Sequence, residues 1–369
     1  MQKYKFDEVV SINGQKMTKA YLETLDYSQR ELLIDPLATI IAEIGIPYPD
    51  NEQLIHKEWE RVKDCKININ AMDAYNNSSI GGYICKYFCA EKFYDTTEPN
   101  KKTLKELLLN NTELHKRMAK NRLGMDWLLP SIDKKGNSLP GVNQAFNLSP
   151  KMLVLQCARS MRLINNTTLF KADVAKLLVS KYSEPNDIIY DYSAGFGARM
   201  LGTIAAGRKY IATDPFTTPD LIKMKDYLKL DNVSLIQDGS ENVNNYLKEN
   251  SVDFCFSSPP YLLKKGKKYV AQEEYSRENQ AYSLGSDVFY DVYWKKTLEN
   301  CRNCLKSGKW FGLNTSIKEE RMVEMARQLF GKEKEIFKLR TVKSHLSGKS
   351  KEKNNSEKFE PIYMFKNDK

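Results

Sequence analysis

Histidine is nearly missing from this 369-residue chain, which has only His56, His115 and His345, scattered far apart. That scarcity argues against a histidine-built metal centre. Long apolar runs are missing too. The longest, Leu37–Ile46, is broken by Glu43 and falls well short of the about 20 residues that span a bilayer. The opening MQKYKFDEVV lacks the basic-then-apolar layout of a secretory leader. Seven cysteines, an odd number, do not suit a disulfide framework. No internal repeat is evident. These absences lead to the expectation of a soluble cytoplasmic protein with reduced thiols, no metal and no membrane attachment.

What is present is enough for a folded core. The chain is 41% hydrophobic and 28% charged, which excludes wholesale disorder. Its length suits two domains or one elaborated domain. A net charge of +10 attracts polyanions through phosphate neutralisation. Charge alone does not choose the partner.

The two halves differ in pattern. Helical spacing of Leu22, Leu25, Leu32 and Leu33 predicts helix from Thr18 to about Ala42, with Thr18 as cap and Pro36 dividing the stretch into two helices. Asn51–Lys66 and Thr103–Leu123 have the same character, and Tyr75–Gly82 is a polar, glycine-containing loop. Residues 1–140 are therefore expected to form a mostly helical domain, with Ser131–Val142 as linker or surface loop. Residues 141–369 change rhythm. Short β-rich runs at Asp187–Tyr192, Lys209–Thr213, Val233–Gln237, Val252–Ser257 and Trp310–Asn314 alternate with helical stretches near Ala198–Ala206, Pro219–Leu228, Glu241–Lys248 and Asp287–Leu305. That alternation predicts an α/β fold with a parallel sheet. Glu335–Val342 and Glu360–Phe365, separated by the basic loop His345–Lys358, read as an antiparallel hairpin at the sheet edge.

Ligands of open α/β sheets bind beyond the carboxyl ends of the strands. There the chain places Asp191-Tyr192-Ser193-Ala194-Gly195-Phe196-Gly197, whose glycines allow a sharp turn and close approach at a helix N-terminus. Asp214 and Asp238 end the next two strands. Asp214 suits a ribose acceptor or a helix cap, and Asp238 a ligand contact or a plain turn. Together they outline a pocket for an adenosyl group. Ser257-Ser258-Pro259-Pro260-Tyr261 follows a fourth, apolar strand. Its two prolines remove N–H donors and stiffen the backbone. What remains is a row of carbonyl acceptors, a hydroxyl and an aromatic ring, a set that suits a planar base bearing an exocyclic amine.

In these motifs the chain resembles the S-adenosylmethionine-dependent DNA amino-methyltransferases of phage and bacterial type, which modify adenine N6 or cytosine N4. The resemblance covers about Phe146–Lys366. It implies a Rossmann-like, seven-stranded methyltransferase sheet with an antiparallel terminal hairpin. It also implies cofactor-binding roles for Asp191, Ser193, Ala194, Gly195, Phe196, Gly197, Asp214 and Asp238. Asn147-Leu148-Ser149-Pro150-Lys151 is similar to the family's segment over the methionine part of the cofactor, so Pro150 and Lys151 join that set. Ser258, Pro259, Pro260 and Tyr261 resemble the catalytic motif. The implied chemistry is direct transfer of the cofactor methyl to the amine of a flipped base in DNA, with Tyr261 stacked on that base. No covalent intermediate is implied, and the Pro–Cys nucleophile of cytosine-C5 enzymes does not occur here. Ser258 at the first motif position leans toward cytosine N4. The choice of base stays open, as do a homodimer and a restriction-enzyme partner.

Residues 1–140 match no recognition domain of that family and are assigned to DNA recognition or dimerisation. An RNA amino-methyltransferase would share both motifs, usually with an added RNA-binding module. A protein-glutamine methyltransferase has Asn where this chain has Ser258. A catalytically silent nucleic-acid-binding subunit tends to lose one of the motifs that are intact here. Cys301-x-x-Cys304 and Cys85-x-x-x-Cys89 lie in helix-like segments, where they share one face and pack as small hydrophobes. Lys264, Lys265, Lys267 and Lys268, with Lys343–Lys358, suit ordinary solvated loops or phosphate contact, and their place beside the motif and the hairpin favours phosphates.

Overall fold

The computed structural model describes residues 3–75, 78–95, 103–125, 146–161, 163, 169–260, 262–265, 268–271, 287–340 and 359–369. Two compact units divide the chain, each assembled from two stretches. One comprises Met1–Asp50 with Ala90–Thr167, the other Asn51–Cys89 with Thr168–Lys369.

The second unit is built on an eight-stranded mixed sheet. Its strands are β1 (Asp73–Tyr75), β2 (Ile188–Asp191), β3 (Lys209–Thr213), β4 (Val233–Ile236), β5 (Val252–Ser257), β6 (Leu305–Asn314), β7 (Glu335–Arg340) and β8 (Phe359–Lys366). Their spatial order is β1-β7-β8-β6-β5-β2-β3-β4. Only β8 runs antiparallel to its neighbours. The fold is α/β and Rossmann-like, and the expected seven strands with their antiparallel terminal hairpin are all present. An eighth strand is added. β1 pairs in parallel with β7, aligning Asp73 with Lys338, and Asp73 accepts a hydrogen bond from Arg340 at 2.7 Å. The terminal hairpin is therefore covered by β1 and does not form the sheet edge. Residues 51–89, expected within the N-terminal helical part, belong to the unit that contains the sheet.

β5 is buried at all six positions, as an internal strand covered on both faces must be. Phe254 and Phe256 stack on one face, with ring centroids 5.8 Å apart, in a cluster with Leu178, Tyr182, Ile362 and Met364. Cys255 faces the other layer, with Trp294, Leu298, Cys301 and Phe311. Chain order runs outward from β2 to β4, then returns to β5 on the opposite side of β2. The carboxyl ends of β2 and β5 thus flank a topological switch point, where such sheets open a ligand crevice.

Several helices differ from expectation. The segment expected as helix from Glu241 is a 3₁₀ turn, Ser240–Asn245, and the segment from Asp287 begins as a π-helix, Val288–Trp294, before the α-helix Lys295–Cys304. In the helical unit, Thr18 caps Lys19–Thr24 by accepting the Tyr21 N–H. Pro36 divides nothing: it sits in the first turn of Ile34–Ile44, where its missing N–H would be unpaired anyway. The breaks fall at Asp26, which forms a capping box with Gln29, and at Leu33. Thr103–Leu123 is likewise two helices, Leu104–Leu108 and Thr112–Arg122. Ile34–Ile44 packs on Thr112–Arg122, and Leu37, Ile41, Leu114 and Met118 on the two helices are buried. Ser131–Val142 and the basic stretch from Lys343 to Lys358 lie outside the described residues, as does Lys267. Leu262–Lys265 and Lys268–Ala271 form a two-stranded ladder just after the Ser-Pro-Pro segment.

Candidate active site

At the end of β2 the chain reverses through Ser193–Gly197 into the helix Ala198–Ala205. Gly195 and Gly197 take φ of +56° and +86°, the left-handed region that suits glycine. Gly197 is also crowded: a Cβ there would stand 2.7 Å from Leu221 Cδ2. At Gly195 a Cβ would meet nothing among the described residues nearer than Arg199 Nη2, at 3.8 Å. Tyr192, Ala194 and Phe196 are buried, so Ser193 and Gly195 are the half-exposed members of the turn. The Ala194 N–H donates to Thr213 O at 3.1 Å, which holds the turn against the end of β3.

Asp191 is sealed beneath that turn. Its Oδ2 accepts from Arg199 Nε at 2.8 Å and from the Tyr210 hydroxyl at 2.7 Å, and its Oδ1 accepts from the Ser193 N–H at 3.3 Å. At 1% exposure it organises the turn and presents no face to a ligand. Burial, with Asp191 beside it, pushes the Tyr210 hydroxyl pKa well up.

Asp214 closes the turn that leads into the helix Thr218–Leu228, whose own N-cap is Thr217, so the helix-cap expectation is met only as a turn ahead of the helix. Its Oδ1 accepts from the N–H groups of Phe216 and Thr217 at 2.9 and 2.8 Å, and its Oδ2 from Gly195 N–H at 3.0 Å. Burial raises its pKa, and those backbone donors oppose the rise. Asp238 accepts from the Gly239 N–H, Asn242 Nδ2 and the Tyr246 hydroxyl. The Asn242 bond is the main cause that holds its pKa down.

Beyond β5 lie Ser258 and Pro260, half-buried, and Pro259, buried. Tyr261 falls outside the described residues. Because β2 and β5 are parallel neighbours, with Tyr190 beside Cys255, the glycine turn and the Ser-Pro-Pro loop leave the same edge of the sheet. They are tied together by the Ser257 hydroxyl, which donates to Ser193 O at 3.2 Å. Arg199 joins the same knot. Its Nη2 donates to Ser193 O and, at 3.4 Å, to Ser257 Oγ, and its guanidinium lies 5.4 Å from the Phe170 ring centroid. The structure thus gathers Asp191–Gly197, Asp214 and Ser258–Pro260 with residues that sequence reasoning did not assign: Arg199, Ser257, Phe170 and Tyr210. The available signal was Arg199 itself, a cation in the first turn of a helix, where the macrodipole disfavours it.

Pro150 and Lys151 belong to the helical unit. Pro150 precedes the π-helix Lys151–Gln156, the Lys151 N–H donates to Phe6 O at 3.2 Å, and its ammonium lies 3.6 Å from Asp7. All seven cysteines are free thiols. Cys85, Cys89, Cys301 and Cys304 are buried among apolar side chains, and burial pushes the Cys85 thiol up to about 12. Among the described residues no group of three or more His, Cys, Asp or Glu side chains is arranged to hold a metal, and no helix is long and apolar enough to cross a membrane.

No family model and no curated protein matches the chain. Among solved structures it is similar to TrmN from Thermus thermophilus, at 10% identity and TM-score 0.35, over 53% of this chain and 47% of that one. It is also similar to the tRNA (m1A58) methyltransferase TrmI from Aquifex aeolicus, at 10% identity and TM-score 0.36, over 55% and 71% of the two chains. A third is the C-terminal domain of precorrin-6Y C5,15-methyltransferase from Rhodobacter capsulatus, at 13% identity and TM-score 0.35, over 55% and 92%. The matched part spans about half the length of TrmN.

Proposed function

We propose that the sheet-containing unit binds S-adenosylmethionine and transfers its methyl group to the exocyclic amine of a base in DNA, adenine N6 or cytosine N4. The observation that carries this reading is the Ser257–Ser193 hydrogen bond between the glycine turn and the Ser-Pro-Pro loop. It supports a reading in which a methyl donor at the turn and an amine at the loop would lie side by side at the switch point of the sheet.

The residues present fit such a cofactor. Half-exposed Gly195, where a Cβ would meet no described atom nearer than 3.8 Å, admits close approach, and Asp214 beside it would accept a ribose hydroxyl. When bound, the cofactor supplies a sulfonium-activated methyl group. The protein's part is orientation. Ser258 Oγ and the Pro259 carbonyl would accept the hydrogens of the amine, leaving its lone pair aimed for attack, and Tyr261 would stack on the flipped base. The helical unit would contribute DNA recognition or dimerisation.

The test is incubation of the purified protein with methyl-tritiated S-adenosylmethionine and either DNA or RNA, followed by nucleoside analysis. N6-methyladenine or N4-methylcytosine from DNA is the expected product. Label confined to RNA would move the substrate, and label in neither would overturn the proposal.

A further inference from the structure

Arg199 is costly where it stands. It is 6% exposed, it lies in the first turn of a helix whose dipole disfavours cations, and a buried charge needs compensation at every donor. A residue placed against local preference in this way marks a functional constraint more often than a packing one. Asp191 neutralises the charge through Nε, and that pair alone would explain a stable core. It does not explain Nη2, which donates to Ser193 O in the glycine turn and to Ser257 Oγ at the mouth of the Ser-Pro-Pro loop. Phe170 lies against the guanidinium on one side and meets Phe256, the residue before Ser257, edge-on at 5.5 Å.

We infer that Arg199 is a positioning residue that fixes the spacing between the cofactor turn and the amine-binding loop, with Ser257 as the joint between them. This inference rests on the proposed methyl-transfer reading. The planar fork suits the task because one rigid group meets Asp191, Ser193 and Ser257 at once, whereas a lysine ammonium is a single point on a flexible stem. Two substrates held by separate loops react at a rate set by how well those loops are aligned, and a misplacement of about 1 Å costs about 100-fold.

The experiment compares Ser257→Ala, Arg199→Lys and the unaltered full-length protein. Ser257→Ala removes the joint and leaves the Arg199–Asp191 pair in place. Arg199→Lys keeps the charge and loses the fork. Three quantities are read: affinity for S-adenosylhomocysteine, single-turnover methyl transfer, and backbone amide exchange across 193–197. Both variants should bind S-adenosylhomocysteine within about twofold of the unaltered protein. Both should transfer methyl about tenfold or more slowly and exchange faster at 193–197. Unchanged transfer and unchanged exchange in Ser257→Ala would overturn the inference, as would parallel loss of affinity, transfer and melting temperature, the mark of a merely structural role. Exchange needs no substrate. If the unaltered protein labels neither DNA nor RNA, the methyl-transfer reading falls by itself, and the coupling of the two loops is decided by exchange.

Discussion

Asp214 reaches back 19 residues to accept the amide hydrogen of Gly195 at 3.0 Å, so the end of β3 braces the turn that follows β2. The same carboxylate accepts from Phe216 and Thr217 in the turn that leads into the helix Thr218–Leu228. Asp214→Ala should therefore do two things together. Removing the acceptor of three backbone donors, one buried and two part-buried, should lower unfolding free energy by about 1–3 kcal/mol, the cost of leaving such groups unpaired. It should also weaken S-adenosylmethionine binding. Asp214→Asn, which keeps one carbonyl acceptor, should recover part of the stability. Denaturant unfolding and calorimetry on both variants check this. A stable Asp214→Ala protein with full cofactor affinity would refute it.

Gly195 and Gly197 should respond differently to alanine. Both bear the cost of a left-handed non-glycine residue, about 1–2 kcal/mol. At Gly197 the new methyl also collides with Leu221, adding about 1–3 kcal/mol of overpacking. At Gly195 the methyl points into space that the proposed cofactor would use. Gly197→Ala should thus lose mainly melting temperature, and Gly195→Ala mainly cofactor affinity. The reverse ranking would mean that the ligand approaches the turn elsewhere.

The parts of the fold that could be read from sequence were those with local signals. The strands from β2 to β5 and the second half of β6 are short β-rich runs, and the glycine turn and Ser-Pro-Pro loop carry residue types that only special backbone geometry requires. β1 was hidden because Asp73-Ala74-Tyr75 is too short for a period and pairs with a strand more than 260 residues away. Pro36 misled because proline breaks a helix interior but is welcome in a first turn, and the sequence around it shows no strong cap to tell the two apart. Arg199 was missed for another reason: its partners lie at the ends of two strands, β2 and β5, and no linear motif joins them. One consequence is practical. Removing residues 1–140 would also remove β1 and the helix Glu52–Asp64, which belong to the unit that contains the sheet, so that truncation does not isolate the role of the helical unit.

Acid should weaken the protein partly through Glu333. Arg327 Nε and Nη2 each donate to its carboxylate at 2.8 Å, and this hydrogen bonding, the largest cause, holds its pKa below the ordinary 4.5. A carboxylate with a lowered folded pKa binds fewer protons in the folded than in the unfolded state as pH falls through this range. Its contribution is therefore complete above about pH 5 and is lost as pH drops through 4.5 and below the folded value. The stability difference between the unaltered protein and Glu333→Gln should be constant near neutrality and shrink as pH falls below 4.5. Urea unfolding at a series of pH values checks this, and a difference that grows toward acid would reverse the assignment.

The sharpest test falls on Tyr261. If it stacks on a flipped base, Tyr261→Ala removes about 1–3 kcal/mol of stacking and should leave cofactor affinity nearly intact. Phenylalanine or tryptophan should retain much of the activity, because the requirement is a π-face and not a hydroxyl. Pro260→Ala should be damaging for a separate reason. It loosens the loop and restores an N–H, a donor, in a row of acceptors meant for an amine that is itself a donor. A tyrosine that only packs gives another pattern, with melting temperature, cofactor affinity and transfer falling together in Tyr261→Ala. Methyl transfer, cofactor affinity and thermal stability measured on the same four variants separate the two: loss of transfer alone supports base stacking, and parallel loss of all three supports packing.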